Sequence, residues 1–116
     1  MRQGGVRALE METLSDGIWI IDNDAKTAYA RQRMATILGT TPAEMIGYSS
    51  FDFVFPEDVP AAQQLFGRKK NGDTEPFHFR LRRKDGSAIS VIVQGTPMFN
   101  DAGKFNGVVG TFTVSH

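Results

Sequence analysis

Phe77-His-Phe-Arg-Leu-Arg-Arg-Lys-Asp-Gly-Ser-Ala-Ile-Ser-Val-Ile-Val-Gln-Gly-Thr-Pro-Met-Phe99, followed by Asn100-Asp-Ala-Gly-Lys-Phe-Asn-Gly-Val-Val-Gly-Thr-Phe-Thr-Val114, decides the fold. Phe77, Phe79 and Leu81 alternate with His78, Arg80 and Arg82, the period of a strand with one apolar face. Lys84-Asp-Gly-Ser is a hairpin turn. Ile89, Val91 and Val93 then alternate with Ser90, Ile92 and Gln94. Asn100-Asp-Ala-Gly is a second turn, and Val108 to Val114 is a last strand. The stretch reads as three antiparallel strands.

Working toward the N-terminus, the middle is helical in short pieces. Asp58 is placed to cap a helix through about Arg68, with Ala62, Leu65 and Phe66 turned inward. Asn71-Gly72 closes it. Lys69 and Lys70 suit the negative end of its dipole. Thr41-Pro-Ala-Glu is a capping box with proline at the first helical position, and Gly47 ends that turn. Met34, Ile37 and Leu38 share a helical face stopped at Gly39. Residues 17–30 read as a hairpin, with Asp22-Asn-Asp-Ala-Lys as its turn. Residues 1–14 read as a short helix or lead-in, and 15–116 as one domain. The order predicts an α+β domain: a five-stranded antiparallel sheet with short helices on one face.

Ile18-Trp-Ile-Ile is apolar on both strand faces, so both need cover. One cover is the domain's own helices; the other is the N-terminal segment or a second copy of the chain. Trp19, Ile21, His78 and Ile92 are accordingly expected on the outer, partner-facing side of the sheet.

With 116 residues and 41% hydrophobic content, the chain suits one folded domain. No apolar run approaches the roughly 20 residues of a membrane helix. The N-terminus lacks a signal-peptide core, so a cytoplasmic location is expected. The absence of cysteine excludes disulfides, thiolate metal sites and thiol nucleophiles. Net charge is zero. The basic clusters Arg68-Lys69-Lys70 and Arg80, Arg82, Arg83, Lys84 read as a solvated helix end and hairpin tip, not a nucleic-acid surface. The carboxylate pairs Asp22/Asp24 and Glu57/Asp58 fit no calcium-loop pattern and stand beside no histidine. No nucleophile elbow, phosphate loop or dinucleotide fingerprint occurs, so no catalytic residue and no metal ligand is assigned.

Five motifs together resemble the PAS family, the small sensor modules of bacterial signalling proteins. They are Asp16-Gly-Ile-Trp-Ile-Ile-Asp22, Ile37-Leu-Gly-Thr-Thr-Pro-Ala-Glu-Met-Ile-Gly47, Pro56-Glu-Asp58, Arg83-Lys-Asp-Gly-Ser87 and Gly107-Val-Val-Gly110. The resemblance covers residues 15 to 115 and implies a PAS-like (profilin-like) fold. It implies a sensor region of a larger protein, such as a sensor histidine kinase or a diguanylate cyclase. Two positions depart from the family pattern. Arg31 stands where an asparagine is frequent, and Thr113-Val-Ser115 replaces the Asp-Ile-Thr signal motif.

The resemblance also frames the cofactor question. Light-sensing relatives carry a reactive cysteine where this chain has Ser50, so photochemical adduct formation is excluded. Of the flavin-contacting positions Leu81, Val91 and Thr111, two are apolar. Haem-binding relatives need a pocket histidine on the long helix, which holds none; His78 is expected to point away from the helices. Haem and flavin are therefore unsupported. What remains is a candidate apolar pocket lined by Met34, Leu38, Ile46, Phe53, Leu65, Phe66, Phe79, Val91, Val93, Val109 and Thr111. The same residues also suit plain core packing. Five methionines and nine phenylalanines fit a soft core or an adaptable pocket. The expected function is sensing of a small apolar or aromatic ligand, dimerisation, or both, in control of an output domain. A ligand-free interaction module is the alternative.

Overall fold

Three turns set the strands. Asp22, Asp85 and Asn100 each use a side-chain oxygen to accept backbone N–H groups two or four residues on, which closes each tip locally. The computed structural model describes residues 17–115. The expected N-terminal helix and His116 lie outside the described residues. The strands are β1 (Gly17–Ile21), β2 (Thr27–Ala30), β3 (Phe77–Arg82), β4 (Ala88–Phe99) and β5 (Phe105–Val114). They form one antiparallel sheet in the order β2-β1-β5-β4-β3. This is the α+β, five-stranded architecture expected from the sequence.

Between β2 and β3 lie α1 (Gln32–Leu38), three single-turn 3-10 helices (Pro42–Glu44, Ser50–Phe53, Pro56–Asp58) and α2 (Val59–Lys70). Gly39, at φ 71°, ends α1 in the left-handed cap that glycine adopts without steric cost. Thr41 and Glu44 form the capping interaction: the Thr41 hydroxyl accepts from the Glu44 N–H and donates to its carboxylate.

Asp58 departs from its expected role. Its carboxylate makes no cap hydrogen bond to α2. It accepts instead from Arg80 Nε at 2.6 Å, while Glu57 takes the Arg80 guanidinium at 3.0 Å. The same guanidinium lies 4.4 Å from the centre of the Phe55 ring. A charge-assisted bond to arginine outcompetes a neutral N–H for the same oxygens. The basic hairpin is therefore not freely solvated: Arg82 donates to the Asp52 carbonyl, and Lys84 pairs with Glu44 at 2.8 Å.

The core lies between the helices and one sheet face. Trp19, Met34, Ala35, Leu38, Met45, Leu81, Val91 and Val93 are buried in it. Helix α1 lies directly on β1, so close that a methyl group at Gly17 would meet Met34 Sδ at 2.6 Å.

The phase of β1 and β5 is opposite to the sequence expectation. Trp19 is 4% exposed and faces the helices, and its indole N–H donates to Thr27 Oγ1 at 2.9 Å. Ile21 packs against the same core. Across the ladder, Trp19 opposes Gly110 and Ile21 opposes Val108, so Val108, Gly110 and Phe112 are the inward residues of β5. Val109 and Thr111 fall between them and face outward with Ile18 and Ile20. In a strand, a one-residue change of phase exchanges the two faces completely. Gly107 starts this phase: at φ 136° it lets the Ile21 carbonyl occupy the space a side chain would fill.

Candidate functional site: an apolar cavity under the second helix

Helix α2 does not close on the sheet as α1 does. Its inward stripe is Ala62, Leu65, Phe66 and Lys69, spaced i, i+3, i+4, i+7. Between that stripe and the sheet is a cavity of about 110 Å³. Its sheet wall comes from all strands but β2: Trp19 and Ile21 of β1, Phe77, Phe79 and Leu81 of β3, Val93 and Gly95 of β4, and Val108, Gly110 and Phe112 of β5. Ser50 and Phe51 form a third wall from the 3-10 segment. The aromatic rings brace one another. Trp19 meets Phe53 edge-on at 5.5 Å and Phe112 at 5.4 Å, and Phe66 meets Phe51 and Phe105 edge-on.

The expected pocket residues divide three ways. Leu65, Phe66, Phe79 and Val93 line the cavity. Met34, Leu38, Val91 and Phe53 do not: the first three are fully buried in solid core, and Phe53 packs on Trp19. Ile46, Val109 and Thr111 are corrections. Ile46 is 44% exposed, because the turn that Gly47 ends carries Met45 inward instead. Val109 lies on the outer face by the strand phase above, and Thr111 lies beside it, its hydroxyl donating to the Gln94 carbonyl at 3.4 Å. Trp19 and Ile21, expected on the partner face, are cavity walls. His78 and Ile92 do lie on the outer face, exposed, where Tyr29 is also uncovered.

Lys69, expected at a solvated helix end, is instead 4% exposed and lies in the cavity wall. Its Nζ donates to the Asp73 carbonyl at 3.1 Å and lies 5.6 Å from the Phe77 ring centre. Burial pushes its ammonium below the ordinary 10.5, partly opposed by the charge of Asp73 and reinforced by that of Arg68. The helical period locates it, since Lys69 is seven residues beyond Ala62.

The groups present do not suit haem or flavin. Among the described residues the lining holds no histidine, and apart from the Trp19 indole N–H, which is given to Thr27, its polar side chains are Ser50 and Lys69. Ser50 does stand in the wall, while Thr111 points to the other side of the sheet. The volume matches a single small ring more than a fused tricycle. Among the described residues, no three His, Cys, Asp or Glu side chains converge on one point. No helix among them is long and apolar enough to cross a membrane.

A second, larger and more polar cleft of about 380 Å³ lies beside the β3–β4 hairpin, lined by Thr40, Glu44, Tyr48, Asp52, Arg82 and Lys84 among others. Within it Lys84 pairs with Glu44 and Arg82 donates to the Asp52 carbonyl, while the buried Nε atoms of Arg82 and Arg83 have no hydrogen-bond partner among the described residues. The Lys84 ammonium, the Thr40 hydroxyl and the charge of Lys84 hold Glu44 down from 4.5 to about 2.

Known proteins share this fold. The chain is 30% identical over 79 residues to the aryl hydrocarbon receptor nuclear translocator homolog of Drosophila melanogaster, a match over 66% of this chain and 12% of that protein. The chain thus spans about an eighth of that relative. Among solved structures, Drosophila melanogaster Cycle PAS-B with bound ethylene glycol superposes with a TM-score of 0.74 at 20% identity, over 85% of this chain and 99% of that one. The sensory box histidine kinase/response regulator of Burkholderia thailandensis gives 0.70 at 20% identity, over 92% and 82%. At such identities the two structures speak for the fold. The family model for the PAS fold matches residues 27–112, from the start of β2 into β5. With that match, the order of its strands and the cavity under its second helix, the chain belongs to the PAS family of signal-sensing domains.

Proposed function

We propose that this domain senses a small apolar or aromatic ligand held in the cavity under α2, and that occupancy regulates an output domain of a larger cytoplasmic protein. A sensor histidine kinase is the output class favoured here, in line with the fold shared with the Burkholderia thailandensis protein; a diguanylate cyclase is the alternative. One observation carries the reading. The α2 half of the core leaves an apolar cavity, whereas protein interiors are otherwise packed to the density of organic crystals.

The route outward is short. Val93 and Val108 line the cavity, while their neighbours Ile92 and Val109 face the other side of the sheet. A ligand that shifts β4 and β5 moves both faces together. It acts only through different affinity for two arrangements: a tenfold difference is about 1.4 kcal/mol. That suffices to bias a poised equilibrium.

The outer face supports self-association. Ile18 and Ile20 lie there beside Val109, with Tyr29 and Ile92 uncovered. A homodimer through this face is the arrangement we favour, and a ligand-free association module is the second reading it sustains. Native mass spectrometry of freshly purified protein, compared with the denatured mass, separates them. The sensor reading predicts a non-covalent adduct of small-molecule mass on a dimer. A bare dimer that gains no mass when small aromatic compounds are added contradicts it. Ile92→Asp is expected to shift the dimer toward monomer in sedimentation; an unchanged sedimentation coefficient contradicts the interface.

A further inference from the structure

Sixteen of the described residues line the cavity, and one of them is charged. Burying an ammonium is costly unless it is paired. Carboxylates normally supply the pair, yet the ion pairs among the described residues use Arg80 and Lys84. Lys69 has three N–H donors, and one is given to a neutral carbonyl, that of Asp73. A role in supporting the helix end does not require this burial, because Arg68 and Lys70 serve the same dipole from the exposed side. The floor of the cavity is also cut to receive the lysine. A methyl group at Gly95 would meet Lys69 Cε at 2.9 Å and Nζ at 3.4 Å. The stem therefore lies close over β4 at Gly95 and carries its charge to the cavity wall.

We propose that Lys69 makes the cavity selective for a single-ring-sized apolar ligand bearing one carboxylate, which would supply the ion-pair partner that the Lys69 ammonium lacks among the described residues. This rests on the ligand-binding reading above and adds the chemistry of the ligand. The size is capped by the volume: at about 110 Å³ the cavity is smaller than the roughly 150 Å³ that holds benzene, so one ring is the upper limit and enters as the half-buried α2 stripe gives way. The apolar character follows from the aromatic and aliphatic walls. Loss of water from both charges strengthens their attraction, and the arriving carboxylate reverses the downward shift of the ammonium.

The test uses two probes of nearly equal size, benzoate and toluene, titrated into the whole chain at neutral pH and followed through the Trp19 indole N–H signal. Wild-type protein is expected to bind both, benzoate more tightly. Lys69→Met, which keeps the length and removes the charge, should weaken benzoate at least tenfold and leave toluene within threefold. Toluene bound as tightly as benzoate by wild type, or a Lys69→Met protein that keeps its benzoate affinity, overturns the assignment of Lys69 while leaving the ligand-binding reading intact. Neither probe binding wild type overturns both. The wild-type comparison decides the matter by itself should the variant fold poorly.

Discussion

The two helices cover the same sheet and pack in opposite ways. Under α1, Met34, Ala35 and Leu38 are 0% exposed, and β1 has a glycine where the helix needs room. Under α2, the inward Ala62, Leu65 and Phe66 stay half-buried around an opening, and the one fully covered side chain is a lysine. The α1 half has the density expected of a core that holds a fold together. The α2 half gives up part of that contact and keeps a space that could admit a guest. Electrostatics follow the same division. The α1 side is tied to the β3–β4 hairpin by Glu44 and Lys84, and the entrance to α2 is clamped to β3 by Glu57, Asp58 and Arg80.

The largest effect that sharpens this contrast is truncation. Met34→Ala should cost about 3–5 kcal/mol, because the surroundings cannot collapse onto the space. Leu65→Ala should cost less than about 2 kcal/mol, since its neighbours already border a cavity and its burial is partial. Urea unfolding of the two variants measures the difference; equal losses would erase the distinction between the halves.

The intermediate effect is overfilling. Ala35→Leu forces three extra carbons into solid packing and should destabilise by about 1–3 kcal/mol. Ala62→Leu sends them into empty volume and should change stability by less than about 1 kcal/mol. The same variant should abolish toluene binding. A penalty for Ala62→Leu as large as that for Ala35→Leu would mean that the cavity is not open to a side chain.

The smallest effect is acid sensitivity on the α1 side. Glu44 has its folded value lowered from 4.5 to about 2, with the Lys84 hydrogen bond as the first cause. A depressed carboxylate stabilises above the unfolded value and loses that contribution as pH falls from about 4.5 toward 2. The group is solvent-facing, so the effect is small. Glu44→Gln should flatten this part of the profile: between pH 6 and pH 3 its melting temperature should fall less than that of wild type. Parallel profiles would show that the hairpin tie contributes nothing.

Much of the architecture is legible in the sequence where the two sides of an element differ chemically. Phe77, Phe79 and Leu81 against His78, Arg80 and Arg82 leave one choice of face, and Asp85-Gly86 leaves one choice of turn. Ile18 to Ile21 and Val108-Val109 are apolar on both sides, so pattern alone cannot choose a phase. Pairing chooses it, by setting the Trp19 indole opposite Gly110 and within reach of the Thr27 hydroxyl. The glycine opposite the bulkiest residue was the available signal. That inverted phase accounts for the misplacement of Trp19, Ile21, Val109 and Thr111. Lys69 was hidden for another reason. Among Arg68 and Lys70 it looks like one of a solvated run, although the period from Ala62 through Leu65 and Phe66 points it inward. Asp58 shows the limit of local rules, since a tertiary arginine 22 residues away takes the carboxylate from its helix.

The most direct test of the contrast is methyl-resolved NMR of the whole chain under increasing xenon pressure. Xenon occupies dry apolar cavities with little regard for ligand chemistry. Saturable shifts are expected at Leu65, Val93 and Val108, with Met34 and Leu38 unmoved. Shifts centred on Met34 and Leu38, or none that saturate at either site, would contradict a solid half beside a receptive one.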